Sequence, residues 1–235
     1  MGMDRIDRSR IEGAKKLVSD FLKDESSSGQ GPSLQETVKV LRTLLAAGTV
    51  YAGAAVSDAG PAQAREGAKI ERAQQELYSK EDLTLLSENV YHEAKGESPL
   101  GQLGVVQVTL ARLAAGEFGR TLRDVILAKN QFSWTRDEKV RVSPEDQEAV
   151  KKLQEILGTF MRGKEPAHIV RELSKITYVP TSALFYKRTD WNEHDPKEER
   201  MSEKTKKLFK SLRVVGYVDK HSFYAKPIDY SKAKW

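Results

Sequence analysis

The chain has 235 residues, 39% of them hydrophobic and 31% charged, enough to bury one sizeable core and to carry extensions beside it. Its 39 Lys and Arg stand against 34 Asp and Glu, and the net charge of +5 is spread along the sequence. With no Lys/Arg block and no aromatic-interleaved basic stripe, nucleic acid is excluded as an expected partner. The lack of cysteine excludes disulfides, thiol nucleophiles and Cys-ligated zinc.

Ile11, Ala14, Leu17, Val18 and Phe21 recur at helical spacing, with Arg10, Lys15, Lys16 and Asp20 on other faces, which predicts a short amphipathic helix. Residues 26–32 are Ser, Gly, Gln and Pro, unable to bury enough apolar surface to offset their chain entropy, and read as a linker. Ser33 and Glu36 form a capping-box pattern that opens a second helix. That helix leads into an uncharged Ala- and Leu-rich stretch, Thr43 to Ser57, shorter than the ~20 residues of a membrane-spanning helix. Two readings stand for it. One is a buried or partner-facing helix; the other, suggested by Lys39 and Arg42 before it and Pro61-Ala62-Gln63-Ala64 after it, is an imitation of a displaced signal peptide. Residues 62–75 are polar and helical in pattern. The expected organisation is a helical extension over 1–76, available for docking to a protein partner or a membrane, and a principal domain over 77–235.

Ser79 and Asp82 mark the start of that domain's first helix, with Leu83, Leu86 and Val90 on one face. A second helix carries Leu103, Val106, Val108, Leu110 and Leu113, with Gly116 as its stop. Thr121 starts a short helix through Val125 and Leu127. Ser143-Pro144-Glu145-Asp146 reads as a helix N-terminus with Pro at the first position, followed by a stripe of Val150, Leu153, Leu157 and Phe160 that Gly163 ends. A further helix runs from Pro166 to about Lys175. β-favouring residues then appear at Tyr178-Val179 and over 212–224. The fold class is α+β, mainly α, with a small β element late in the chain.

Glu93 is the most informative position. It lies one heptad after Leu86 and three residues after Val90, so its carboxylate projects from the apolar face of the first helix. Desolvation there favours the protonated form, as a general acid near neutral pH requires. Glu97 shares this face if the helix continues through Gly96, and a second negative charge would push the same way. His92-Glu93 invites comparison with H-E-x-x-H, but Gly96 stands where the second histidine belongs, so no zinc site is expected. His168, His194 and His221 show no ligand spacing, and no phosphate-cradling Gly loop or G-x-S-x-G elbow is present. No metal or cofactor is expected.

Tyr91-His92-Glu93-Ala94-Lys95-Gly96-Glu97 resembles the Y-G-E-A-R-G-E signature of the SleB-like, spore-cortex-lytic cell wall hydrolases. Four further blocks resemble that family in its order: Gly101 to Val106 with Leu110-Ala111-Arg112, then Gln131-Phe132-Ser133-Trp134, Ala183-Leu184-Phe185-Tyr186 and His221-Ser222-Phe223-Tyr224. The resemblance covers Leu83 to Lys226. The chain departs from the pattern at Ala111 (family Asn), Ser182 (Gly) and Asp219-Lys220 (Gly-Asn), and residues 165–178 look like a helical insertion.

The resemblance implies a lysozyme-like, lytic-transglycosylase-like fold that cleaves peptidoglycan between N-acetylmuramic acid and N-acetylglucosamine. It gives Glu93 the role of catalytic acid, followed by acceptance of a proton from the muramoyl 6-hydroxyl as a 1,6-anhydro ring closes. Glu97, Asp137 and Glu138 are candidates for the second carboxylate of ordinary hydrolysis, with Glu97 read as a supporting residue. Phe132, Trp134, Tyr186 and Tyr224 fit a sugar groove by stacking on pyranose faces, with Gln131 and Ser133 hydrogen-bonding and Glu97 and His221 completing the substrate-binding set. Core packing is the competing role for these aromatics, and the better one for Phe132, Phe185 and Phe223. The basic surplus suits an anionic cell wall. A lytic domain behind an unrelated helical region also suits a phage endolysin, a virion-associated protein or an exported bacterial enzyme. The rival reading is a structural or assembly protein that keeps the fold without the chemistry.

Overall fold

Ser79 caps the first helix, α1 (Lys80–Ala94), through a reciprocal pair: its hydroxyl accepts the Asp82 amide, and the Asp82 carboxylate accepts the Ser79 amide. The structure, a computed structural model, describes residues 77–129, 131–136, 141–188 and 202–227, besides Lys39 and Arg42, which are helical and exposed. The readings for the helix at 11–21, the linker at 26–32, the stretch from Thr43 to Ser57, Asp137 and Glu138 lie outside the described residues. Among those described, no helix is long and apolar enough to cross a membrane.

Gly96, at φ 87°, ends α1 before Glu97. Glu97 therefore does not share the apolar face with Glu93, since the left-handed turn redirects the chain. α2 (Pro99–Ala115) begins at once, capped by Ser98 with Pro at its first position and stopped by left-handed Gly116. From Pro99 through Arg112 every residue of α2 is buried, as befits a helix at the centre of a domain. α3 (Leu122–Leu127) has its own capping box, Thr121 with Asp124.

α4 (Gln147–Met161) starts three residues later than Ser143-Pro144 suggests. The Ser143 hydroxyl, instead of capping a helix amide, donates to the Asp146 carboxylate at 2.6 Å, and Asp146 in turn accepts from Lys95 and Tyr91 of the α1 end. Those partners hold 144–146 as a turn against α1. The stripe itself is as expected: Val150, Leu153, Leu157 and Phe160 are buried. α5 (Pro166–Thr177) packs along α2 and places Ile169, Val170 and Leu173 in the main core, so the apparent insertion is a structural helix.

Tyr178 and Val179 form no strand, because Tyr178 is the left-handed cap of α5 and is exposed. The first strand, β1 (Phe185–Arg188), follows. After α6 (Glu203–Ser211) come β2 (Arg213–Val218) and β3 (His221–Ala225), giving an antiparallel sheet in the order β1-β3-β2. Phe185 pairs with Tyr224 and Tyr186 with Phe223. The β2–β3 turn needs a left-handed residue, and Asp219 supplies it at φ 48°. Its carboxylate accepts the Ser98 amide at 3.1 Å and the Ser98 hydroxyl, which ties the hairpin to the start of α2. The result is the mainly helical α+β class expected.

Helix and sheet meet where α2 carries Gly104. A Cβ there would stand 2.6 Å from the Phe223 ring, which is itself fully buried. Gly104→Ala adds about 1 kcal/mol of helix propensity, yet overpacking at this contact is expected to dominate, for a net loss of about 1–3 kcal/mol. Urea unfolding should show a lower midpoint at unchanged slope; a midpoint at or above that of the parent protein would mean that Phe223 yields.

Candidate active site around Glu93

The last turn of α1 turns Glu93 inward, after the fully buried Leu86 and Val90. Its Oε2 accepts the Tyr186 hydroxyl of β1 at 3.1 Å, and its carboxylate accepts the Ser133 backbone amide. Burial is the largest influence and raises the Glu93 pKa above its ordinary 4.5; the Tyr186 bond, the Arg112 charge and the Ser133 amide pull the other way. Burial and the adjacent Glu93 lift the Tyr186 phenol well above its usual range. The arrangement is a carboxyl whose proton affinity is raised by dehydration, with donors placed to receive the charge when the proton leaves.

Arg112 of α2, which the sequence marks only as part of a family block, is the cation whose charge acts on both groups. It is only 5% exposed; its Nε donates to the Leu184 carbonyl at 2.8 Å, and its guanidinium lies 5.2–5.6 Å from the rings of Phe118, Phe132 and Phe185. The signal was a single charged residue on an otherwise uncharged helix, since such a cation is buried only with a purpose or a partner.

Trp134 opens a 3₁₀ turn, Trp134–Arg136. Its Nε1 donates to Asn89 Oδ1 at 2.9 Å, and the imidazole of His92 stacks on its indole at 4.6 Å and 25°. Asn89 is fully buried, with its amide on Thr109 of α2, and was passed over by the sequence reading. Burial lowers the His92 pKa, favouring the neutral ring in this stack.

Glu93, Ser133, Trp134 and Tyr186 thus come together, with Gln131 part-buried on the same segment and Ser133 exposed. Glu97, His221 and Tyr224 are buried. Glu97 Oε2 accepts the Lys220 amide at 3.4 Å and lies 3.9 Å from His221 Nδ1, while the His221 ring stands edge-on to Tyr186 at 5.2 Å. Tyr224 packs against Phe209 of α6 at 5.0 Å. Among the described residues no three His, Asp or Glu side chains gather as metal ligands would. A surface depression of about 520 Å³, lined by Tyr78, Lys80, Gln154 and Arg162 among others, adjoins the opposite end of α1. Lys80 is some thirteen residues from Glu93, roughly 20 Å along the helix, so the depression is separate from this chemistry.

The pattern of the Cell Wall Hydrolase family matches residues 96–224, beginning three positions after Glu93. Among curated proteins, the chain is similar to the spore cortex-lytic enzyme of Bacillus cereus, at 33% identity over 29% of this chain and 27% of that protein. It is also similar to the spore cortex-lytic enzyme of Oceanobacillus iheyensis, at 35% identity over 38% of this chain and 31% of that one. The match therefore spans about a quarter to a third of the length of these relatives. A solved structure, the catalytic domain of the Bacillus cereus SleB protein, aligns with a TM-score of 0.40 and 24% identity, covering 63% of this chain and 91% of that one.

The raised Glu93 pKa has a consequence for stability. A carboxyl whose pKa is higher folded than unfolded contributes fully below its unfolded pKa, and that contribution is lost as pH rises through the folded value. Glu93→Gln, neutral throughout, should therefore unfold at a higher denaturant midpoint than the parent at pH 7, with the difference closing below pH 4.5. Equal midpoints at pH 7 would remove dehydration as the controlling influence on this carboxyl.

Proposed function

The chain belongs to the Cell Wall Hydrolase family, and on that premise we propose that it cleaves peptidoglycan glycan strands with Glu93 as the general acid. The observation that carries this reading is the half-buried Glu93 carboxyl hydrogen-bonded to Tyr186, with desolvation raising its proton affinity. The scissile bond is that between N-acetylmuramic acid and N-acetylglucosamine, and the lysozyme-like fold belongs to the same reading. Glu93 gives its proton to the glycosidic oxygen as the bond from C1 to that oxygen breaks. The resulting carboxylate takes the proton of the muramoyl 6-hydroxyl while O6 bonds to C1, which closes a 1,6-anhydro ring and restores the acid.

One carboxyl suffices for this lytic transglycosylase route, whereas hydrolysis uses two flanking the bond. The position of Glu97 favours the single-carboxyl version: it is 5% exposed and engaged with Lys220 and His221. Trp134, pinned at its nitrogen by Asn89 and on one face by His92, offers a preset stacking surface. Gln131, Ser133 and Tyr186 supply polar contacts to the sugar, while Glu97, His221 and Tyr224 hold the wall behind them. The enzyme acts at the bacterial cell wall, delivered by export or, as an endolysin or virion component, by a phage. Residues 1–76 form the delivery or docking part, toward a protein partner or a membrane.

A zymogram on purified peptidoglycan should clear with the parent protein, and Glu93→Gln should lower activity about 10²–10⁴-fold. Clearing that survives the substitution moves the acid elsewhere, and no clearing by the parent leaves the non-catalytic scaffold role. Mass spectrometry of the fragments should find 1,6-anhydro ends; reducing ends would assign hydrolysis. A chain lacking residues 1–76 should keep cooperative unfolding and activity, whereas loss of folding would place that region in the core.

A further inference from the structure

Arg112 is the charged group that the acid–base scheme leaves unused. It is 95% buried by area, yet its Nη1 has no hydrogen-bond partner among the described residues, and the acidic groups whose charge would favour its own are Tyr186 and Glu93. Its remaining contacts reach both segments that bring donors to that carboxyl. The Leu184 carbonyl, held by Nε at 2.8 Å, lies two residues ahead of Tyr186, and the Phe132 ring, 5.2 Å from the guanidinium, immediately precedes Ser133.

Building on the reading of Glu93 as the acid, we infer that Arg112 is a positioning residue for the proton transfer, a buried counter-cation balanced when Glu93 has lost its proton. With Glu93 protonated, the pair carries a buried charge of one; with Glu93 ionised, it carries none. An interaction stronger after the proton has left than before it lowers the barrier to giving it up, which is where a fixed charge in a dehydrated site is most effective. The burial that raises the proton affinity of Glu93 and the Arg112 charge that favours the proton's departure are thus two halves of one device.

Among the described residues, the other titratable groups around the carboxyl are Tyr186 from β1, His92 beside it on α1, and, against the Tyr186 ring, His221 of β3 with Glu97. Tyr186 already serves as a neutral donor and His92 is stacked on Trp134 with its neutral form favoured. Arg112 is the member of the group whose charge is permanent.

The test is a titration of Glu93 in the full-length protein without substrate, by carbon NMR of labelled Glu, with the signal assigned through its disappearance in Glu93→Gln. In Arg112→Gln the midpoint should rise by about one pH unit or more, a tenfold gain in proton affinity. Arg112→Lys, which keeps the charge, should stay near the parent value. An unchanged or lower midpoint in Arg112→Gln overturns the inference. Should that variant fail to fold, the guanidinium nitrogen signals of Arg112 in the parent protein decide: they should titrate with the Glu93 midpoint and cease to do so in Glu93→Gln. Signals independent of pH in the parent overturn it equally. Because no substrate enters, this failure is distinct from a negative zymogram, which bears on cleavage alone.

Discussion

A helix buried on all sides must find partners for its polar side chains, and in this protein α2 gives each of them at least one, leaving Arg112 Nη1 as the exception among the described residues. Gln102 donates to the Glu97 carbonyl, Gln107 donates to the Val179 carbonyl and accepts the Thr177 hydroxyl, Thr109 holds Asn89, and Arg112 holds the Leu184 carbonyl. Each of these is an internal bond made to a different segment, so the polar groups of one helix register the connection after α1, the end of α5, α1 itself and the entry to β1. Net energies of about 1 kcal/mol per bond understate their effect, because breaking one strands a dehydrated partner at greater cost. The apolar neighbours Leu103, Val106 and Leu110 supply the bulk of the burial; the polar ones decide where everything else sits.

That registration creates the environment of Glu93. Its carboxyl arrives from α1, Tyr186 from β1 and the Ser133 amide from the segment after α3, three pieces far apart in the chain that meet only because α2 lies between them. Burial and these partners act in opposite directions on the same proton. Burial is the largest and raises the proton affinity, while the donors are already placed for the anion. Placing donors in advance avoids the reorganisation that water would need at the moment of transfer.

The departures from the family pattern are accommodated by particular contacts. Asp219 stands where the family has Gly before the closing block, in a left-handed turn that Asp tolerates better than most residues, and its carboxylate is spent on Ser98. The helix that looks like an addition, α5, has an apolar face that seals one side of α2, so its residues share the main core with those of α1 and α4.

By itself the sequence determined the helices from Lys80 to Thr177, because the caps at Ser79 and Thr121, the stop glycine at 116 and the 3.6-residue stripes are local signals that act within a turn or two, whereas the helix Glu203–Ser211 was not read from it. It also determined that Glu93 faces inward, since that follows from its spacing to Leu86 and Val90. Where competition from distant groups mattered, a local signal failed, and the Ser143-Pro144 start yielded to Asp146 pairing with Tyr91 and Lys95; Glu97 parted from Glu93 for a local reason, the left-handed turn at Gly96. Tertiary structure alone decided that Tyr186 and Ser133 hold Glu93, that Asn89 fixes Trp134, and that the Arg112 charge acts on the pair. Those contacts join residues separated by 93 positions in one case and 45 in another. No periodicity encodes such distances; they exist only after the buried helix has brought its partners together.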